Sequence, residues 1–139
     1  MKDPMPVLNL RCTKLKAKRN PKEMYKGGPI TFIPMPRFDE VSEDGEHLMI
    51  RFRNTLRYKP NLGFFRIEGC LTFGCEEAQK KEILKLWKKN KRFPEDVYEE
   101  IMSVMSKYAY LAFGNLAFEL GLPLPYRTPD VKLLRYGYG

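Results

Sequence analysis

Residues 47–73 alternate between apolar and polar side chains, and this alternation limits the fold more than any other feature of the chain. One set of alternate positions carries Leu48, Ile50, Phe52, Leu56 and Tyr58, and the other carries Met49, Arg51, Arg53, Thr55, Arg57 and Lys59. Successive side chains of a β-strand point to opposite faces. The pattern therefore predicts a strand with one apolar face and one arginine-rich face. The second face is a nucleic-acid platform, a solvated surface, or a surface covered by something else.

The turn sequence PNLG at 60–63 leads into a second alternating segment, which supplies an antiparallel partner for this strand. Its apolar side carries Phe65, Ile67, Leu71 and Phe73, and its other side carries Phe64, Arg66, Glu68, Cys70 and Thr72. Glu68 can then share a face with the arginines, which reduces the repulsion between like charges. The apolar sides of both strands require a cover of helices or of another sheet.

Two more strands are predicted earlier in the chain, over residues 6–18 and 30–40. Pro34 and Pro36 interrupt the later one, and because proline cannot donate to a β-ladder, this strand belongs at a sheet edge or leaves the sheet at a bulge. A hairpin loop, SEDGEH at 42–47, follows it with Asp44-Gly45 at its tip. The chain thus predicts a four-stranded antiparallel sheet.

After Gly74 the apolar spacing changes to that of helices, predicted over 76–90 and 94–120. The later helix begins at Pro94 and ends before Gly121. Its second half, YAYLAFGNLAFELGL, is apolar nearly all round, which indicates burial on every side. One sheet and two helices cannot provide that burial, so self-association is expected. The predicted fold class is α+β, in one oligomeric domain of 139 residues with an extended tail over 122–139.

The net charge of +8 favours anionic partners such as RNA, membrane surfaces or acidic proteins. Much of the excess lies in two runs, at 14–22 and 80–92, and such runs are usually solvated faces. No stretch of 18 apolar residues predicts a membrane span, and the first residues lack the features of a signal peptide. A cytoplasmic protein is expected.

The residues that carry chemistry are sparse. Three cysteines and one histidine, His47, make a disulfide framework or a zinc site improbable, and Cys12 and Cys70 are expected to be small buried apolar groups. Cys75 lies beside two glutamates, which disfavour its thiolate, although a helix N-terminus would act in the opposite direction. No catalytic set, phosphate loop, metal site or cofactor site is predicted, so the chain is not expected to be an enzyme.

The order of the predicted elements resembles that of the SecB family of export chaperones. The segment GFFRIEG at 63–69 is similar to the final strand of that family, where glycine and aromatic residues precede Ile-x-Gly. Tyr108-Ala109, followed by GLPLP at 121–125, is similar to its Tyr-Ala helix and proline-containing extended segment. The resemblance covers residues 6–126 and rests more on the order of the motifs than on any one of them.

This resemblance implies a homotetramer, a dimer of dimers, that holds unfolded polypeptides in long grooves and offers edge-strand backbone for strand addition. The client-binding residues it implies are Phe32, Ile33, Met35, Phe38, Phe64 and Tyr126. The residues it implies for contacts between subunits are Tyr108, Ala112 and Leu116. Packing in the core or between subunits is the rival explanation for the first set, and packing within one chain is the rival for the second.

Several features depart from the family pattern. Lys107 and Tyr110 stand where the family has proline and arginine around Tyr-Ala, the segment 76–106 is longer, and the last family helix is missing. The bacterial chaperone presents an acidic surface to its motor ATPase, SecA, whereas this chain is net basic, which argues against delivery to that motor. Relatives that serve toxin–antitoxin systems are a further possibility.

Two other functions remain open from the sequence. The basic sheet face together with Phe64 could bind single-stranded RNA, although the chain has neither the helix between strands nor the sequence motif of an RRM. A subunit of an assembly without any client is the third possibility. Exposure of aromatic side chains in the oligomer would distinguish it from a chaperone.

Overall fold

The computed structural model describes residues 7–21 and 27–123. It contains, in chain order, β1 (Val7–Arg19), β2 (Thr31–Asp44), β3 (His47–Lys59), β4 (Gly63–Phe73), α1 (Glu77–Asn90) and α2 (Glu95–Leu120). The strands form one sheet in the order β1-β4-β3-β2, and every neighbouring pair is antiparallel. The predicted fold class, a four-stranded antiparallel sheet followed by two helices, is confirmed.

The hairpin between β2 and β3 is tighter than predicted. β2 continues to Asp44, past the predicted end at residue 40, and only Gly45 and Glu46 form the turn. Gly45 has a φ of 62°, the positive value that a type II′ hairpin requires at its first central position. The polar residues at 42–44, which indicated a loop, are accommodated because the strand runs along the sheet edge, where Glu43 and Asp44 stay exposed.

β2 is an edge strand, as its prolines predicted. Pro34 pairs with Leu56 and Pro36 pairs with Asn54 of β3. Proline has no N–H, so a strand tolerates it only where its backbone nitrogen faces away from the neighbouring strand. Both proline nitrogens therefore face the open edge. A register shift between Phe38 and Glu40 marks a bulge farther along the strand.

The alternation in β3 and β4 separates a buried face from an exposed one. Leu48, Ile50, Phe65, Ile67, Leu71 and Phe73 are at most 1% exposed. α2 covers this face with Val97, Ile101 and Met105, which are at most 2% exposed. Burial of each such side chain contributes about 1.5–3 kcal/mol, so this contact holds the helix on the sheet.

The C-terminus of α2 is attached to the end of β1. Gly121 takes the left-handed conformation with a φ of 64°, and the N–H of Leu122 donates to the carbonyl oxygen of Ala117 at 2.8 Å. The Arg19 guanidinium donates to the carbonyl oxygen of Leu120 at 2.7 Å. The positive charge of Arg19 also interacts favourably with the negative end of the helix dipole. The helix therefore ends where the sequence predicted, and the end is held by β1.

A buried lysine attaches α1 to the β2–β3 hairpin. Lys80 is 5% exposed, and its Nζ donates to the carbonyl oxygen of Gly45 at 3.0 Å and lies 3.3 Å from Glu43 and 3.7 Å from Glu77. Burial alone lowers the pKa of Lys80, but the hydrogen bond to Glu43 and the charge of Glu77 outweigh it. The pKa of Lys80 therefore lies above its usual value, and the side chain stays charged.

The cysteines are less buried than expected. Cys12 and Cys70 are both half-buried, because Cys70 lies on the outer face of the sheet and Cys12 lies on the edge strand β1. Along the described residues, neither helix is both long and apolar enough to cross a membrane.

Gly69 allows β1 to approach β4 closely. A Cβ at this position would overlap the carbonyl oxygen of Arg11 and lie 3.1 Å from the Cα of Cys12, next to a register shift in β1. We expect Gly69→Ala to lower the free energy of unfolding by about 2 kcal/mol, because backbone atoms must move. Urea unfolding followed by circular dichroism measures the change.

Gly74→Ala is the matched control. A Cβ there meets only the side chain of Leu8, 3.1 Å away, and Leu8 is 52% exposed and can rotate aside. This variant should lose no more than about 0.5 kcal/mol. Equal losses in the two variants would contradict the close approach at Gly69.

Candidate functional site

An apolar groove of about 380 Å³ lies between the edge strand β2 and the helix α2. Its walls come from two strands and one helix. The sheet contributes Phe32, Pro34, Pro36, Asn54 and Leu56, and α2 contributes Met102, Ser106, Ala109, Tyr110 and Phe113. Pockets that bind apolar ligands share this composition of hydrophobic walls with a few polar groups.

The groove exists because the helices do not cover the whole sheet. α2 packs mainly on β1 and β4, whereas α1 packs mainly on β2. At the α1 end of β2, Phe38 packs edge-on against Phe93, with 5.0 Å between ring centres, and Phe93 stacks on Trp87 at 5.3 Å. The other part of β2 has no helix above it, which leaves the space beside α2 open.

Contacts between aromatic rings support the groove. Phe32 meets Tyr58 edge-on at 5.1 Å between ring centres, Tyr58 meets Phe65 at 5.7 Å, and Phe65 stacks on Phe113 at 5.9 Å. These four rings connect β2, β3, β4 and α2 in one continuous series. Since each ring restricts its neighbour, the two walls are held at a defined separation.

Asn54 is a polar side chain in this apolar surrounding, and it was not singled out from the sequence. It is 8% exposed, and its Oδ1 has no hydrogen-bond partner among the described residues. Loss of hydration without a partner costs about 1–3 kcal/mol. The signal was present, because position 54 interrupts the apolar set of Leu48, Ile50, Phe52, Leu56 and Tyr58. The groove wall therefore contains a buried acceptor that has no partner among the described residues.

The edge of β2 is poorly suited to strand addition. An incoming strand pairs with the outward-facing N–H and C=O groups of every second residue. Pro34 and Pro36 occupy two of these positions and offer a carbonyl oxygen but no N–H. The family resemblance implied that a client strand could pair with this edge, but the two prolines interrupt the row of backbone donors. The side chains of the groove therefore offer a client more contact than the edge backbone does.

The structure separates the predicted client-binding residues. Phe32 lines the groove, and Phe38 lies on the same face but farther along, against Phe93 and Tyr98. Ile33, Met35 and Phe64 lie on the opposite face of the sheet, as their pairing with Arg57 and Thr55 requires. Tyr126 lies outside the described residues. Of the five predicted residues that the structure describes, Phe32 alone lines this groove.

The predicted subunit contacts are half-buried against the core of the same chain. Tyr108, Ala112 and Leu116 all pack there. Burial and a hydrogen bond with Cys12 raise the pKa of the Tyr108 hydroxyl, which places this residue against β1. The most exposed apolar side chains of α2 are instead Leu111 at 66% and Phe118 at 82%. The α2 surface open to a neighbour therefore includes two residues that were not singled out.

A second, larger cavity of about 610 Å³ lies at the other end of the molecule, lined by Leu8, His47, Cys75 and several acidic side chains. Burial raises the pKa of the Cys75 thiol, the charge of Lys80 lowers it, and Glu77 raises it further, so the net change is upward. The thiol is protonated at neutral pH, which makes it a poor nucleophile. Within the described ranges no cluster of metal-ligating side chains is present.

Comparison with solved structures identifies a similar fold. The SecB-like chaperone Rv1957 of Mycobacterium tuberculosis, solved in complex with a ChAD peptide from the antitoxin HigA1, Rv1956, matches with a TM-score of 0.55. The match covers 89% of this chain and 88% of the chaperone, at 13% sequence identity. The chain has the SecB-like fold. No protein-family model matches the sequence, and a search of curated proteins also finds no match.

The fold implied by the short motifs is therefore confirmed by three-dimensional similarity. At this identity the similarity lies in the path of the backbone, and few side chains are shared. The chemistry of the groove must be read from the residues of this chain itself.

Asn54 generates a prediction about stability. Asn54→Leu keeps a branched side chain of similar size and removes the unpaired oxygen, so the free energy of unfolding should rise by about 1–2 kcal/mol. Thermal unfolding followed by circular dichroism measures the change. Asn90→Leu, at an exposed position at the end of α1, should change it by less than about 0.5 kcal/mol. A lower unfolding midpoint for Asn54→Leu would show that its amide is satisfied in the folded state.

Proposed function

We propose that this protein is a molecular chaperone that holds non-native polypeptides, with the groove between β2 and α2 as its client-binding site. The observation that carries the proposal is an open apolar groove beside an edge strand in a SecB-like fold. Holding a client requires no bond to be made or broken, so no cofactor is involved. The peptide bound to Rv1957 supports a polypeptide as the ligand class.

The size of the groove sets the kind of client it accepts. A volume of about 380 Å³ accommodates a few apolar side chains of an extended segment. Folded proteins keep such side chains inside, whereas unfolded chains expose them. The site therefore favours exposed apolar segments in general over one particular motif.

One groove gives weak binding by itself. Each buried apolar side chain contributes about 1.5–3 kcal/mol, and ordering the client consumes part of this. Several grooves on one particle increase the overall affinity, because a client held at one site meets the next at high effective concentration. A holding function therefore favours an oligomer, and we propose a homo-oligomer, a tetramer arranged as a dimer of dimers.

The exposed side of α2 is the proposed contact between subunits. Leu111 and Phe118 lie two turns apart on this side and are mostly exposed in the single chain. The half-buried residues Tyr108, Ala112 and Leu116 belong to the same helix and can complete their burial against a neighbouring copy. On β1, Leu15 faces the helices and is 51% exposed. Association along this side would bury all of these apolar groups.

Binding of single-stranded RNA is the alternative function, and it would use the opposite face of the sheet. Contacts with several phosphates would make that binding fall steeply between low and moderate salt. Client binding in the apolar groove should change little over the same range. Suppression of client aggregation that persists at moderate salt is thus expected, and tight RNA binding without any suppression would contradict the chaperone proposal.

A charge placed at the groove tests the site. Ser106→Arg adds a long cation at an exposed position of the groove wall, so the affinity for a reduced and alkylated, permanently unfolded protein should fall about tenfold. Ser103→Arg makes the same change on α2 outside this groove and should keep the affinity within about twofold. Fluorescence anisotropy of the labelled client measures both. Equal affinities for the two variants would exclude this groove as the site.

The subunit contact has its own test. The double variant Leu111→Glu/Phe118→Glu should form a smaller particle than the unchanged protein, because two charges per copy would be buried in the contact. Light scattering measures the mass. Ile33→Glu/Met35→Glu, a matched change on the opposite face of the sheet, should leave the mass unchanged. A monomeric mass for the unchanged protein would exclude the proposed oligomer.

A further inference from the structure

The outer face of the sheet lies opposite the groove and carries a cluster of basic side chains. In two adjacent rows across the four strands lie Lys16, Lys18, Arg57 and Arg66. The apolar side chains in the same rows are Phe64, Ile33 and Met35. We name these seven residues the outer patch. Since neighbouring strands lie about 4.8 Å apart, the patch spans about 14 Å across the sheet.

The positive charge of the outer patch is not neutralised within the described part of the chain. Farther along the same face, Arg53 makes two hydrogen bonds of 2.9 Å to Asp39, Arg51 lies 3.4 Å from Glu40, and Lys14 lies 3.9 Å from Glu68. The two rows of the patch contain no carboxylate, and its four cations form none of the ion pairs described. Arg11 and Arg37 also lie on this face without a described ion pair, but their rows contain Glu40 and Glu68. The largest uncompensated charge of this face is therefore at the end that carries the patch.

Phe64 shows which kind of anion the patch fits. The Lys16 ammonium and the Arg57 guanidinium each lie over its ring, 5.8 Å from the ring centre, and they come from the strands on either side of β4. A nucleic-acid base needs a free ring face on which to stack. Because cations lie against this ring, Phe64 instead serves to position them, and base stacking has little surface available.

The remaining apolar residues favour a polypeptide. Ile33 is 39% exposed and Met35 is 37% exposed, and both stand beside the cations at the β2 edge. Aliphatic side chains of a partner can pack on them while its carboxylates meet the cations. A second copy of this chain does not fit, because facing patches would place four cations against four others.

We propose that the outer patch is a second binding surface, which takes an acidic polypeptide segment that also carries apolar side chains. This surface and the groove lie on opposite faces of the sheet, so one chain can hold a client and an acidic partner at the same time. The inference does not rest on the proposed holding function, because neither the residues nor the chemistry of the groove contribute to it.

Charge removal at the outer patch tests this inference. The triple variant K16Q/K18Q/R57Q removes three exposed charges, and K85Q/K88Q/K89Q removes three exposed charges from α1 as the matched control. The probe is a short fluorescent peptide that alternates glutamate with leucine. We expect the patch variant to bind it about tenfold more weakly than the unchanged protein, and the control to bind it within about twofold. Circular dichroism shows whether both variants are folded.

Two further probes distinguish the kinds of partner. A peptide with glutamine in place of glutamate should bind the unchanged protein about tenfold more weakly, because the carboxylates are lost. Oligouridine of similar length should bind less tightly than the glutamate peptide. Equal losses in the patch and control variants, or tight binding of oligouridine without binding of the peptide, would overturn the proposal. The Ser106→Arg variant should keep its affinity for the glutamate peptide, so a failure of the groove and a failure of the patch are separable.

Discussion

The apolar face of the sheet is wider than the helices that cover it, and the organisation of the molecule depends on this mismatch. A helix with its side chains is about 10 Å across and covers roughly two strands. α2 packs mainly on the β1–β4 half, and α1, with 14 residues, packs mainly on β2 at the Phe38 end. The uncovered part of β2 and β3 becomes a groove, held open by the series of rings from Phe32 to Phe113.

The same alternation that builds the core also separates two kinds of surface. Even-numbered residues of β3 face the helices, and odd-numbered residues face outward. Apolar and basic side chains therefore lie on opposite faces of the same sheet. The groove presents hydrophobic contact, whereas the outer patch presents cations around Phe64. Hydrophobic burial depends little on salt, and exposed ion pairs are screened by it. Ionic strength therefore distinguishes the two surfaces experimentally.

Much of the fold was readable from local patterns, and the site was readable only in part. Alternation identified the faces of β3 and β4, Pro34 and Pro36 identified the edge strand, and Gly121 identified the end of α2. The six predicted client-binding residues were chosen for being large and apolar. Neighbouring residues of a strand point to opposite faces, so Phe32 and Ile33 do not line the same groove. Asn54 was missed because the sequence shows a polar residue within an apolar row but shows neither its burial nor its partners.

The sequence alone determined which segments are strands and helices and which face of each is apolar, because side-chain spacing reports the backbone period directly. The tertiary structure alone decided where α2 crosses the sheet, and therefore which apolar residues are sealed in the core and which line an opening. It also decided which cations meet carboxylates, as Arg53 meets Asp39, and which do not. These outcomes depend on contacts between residues far apart in the chain, and no local period encodes them.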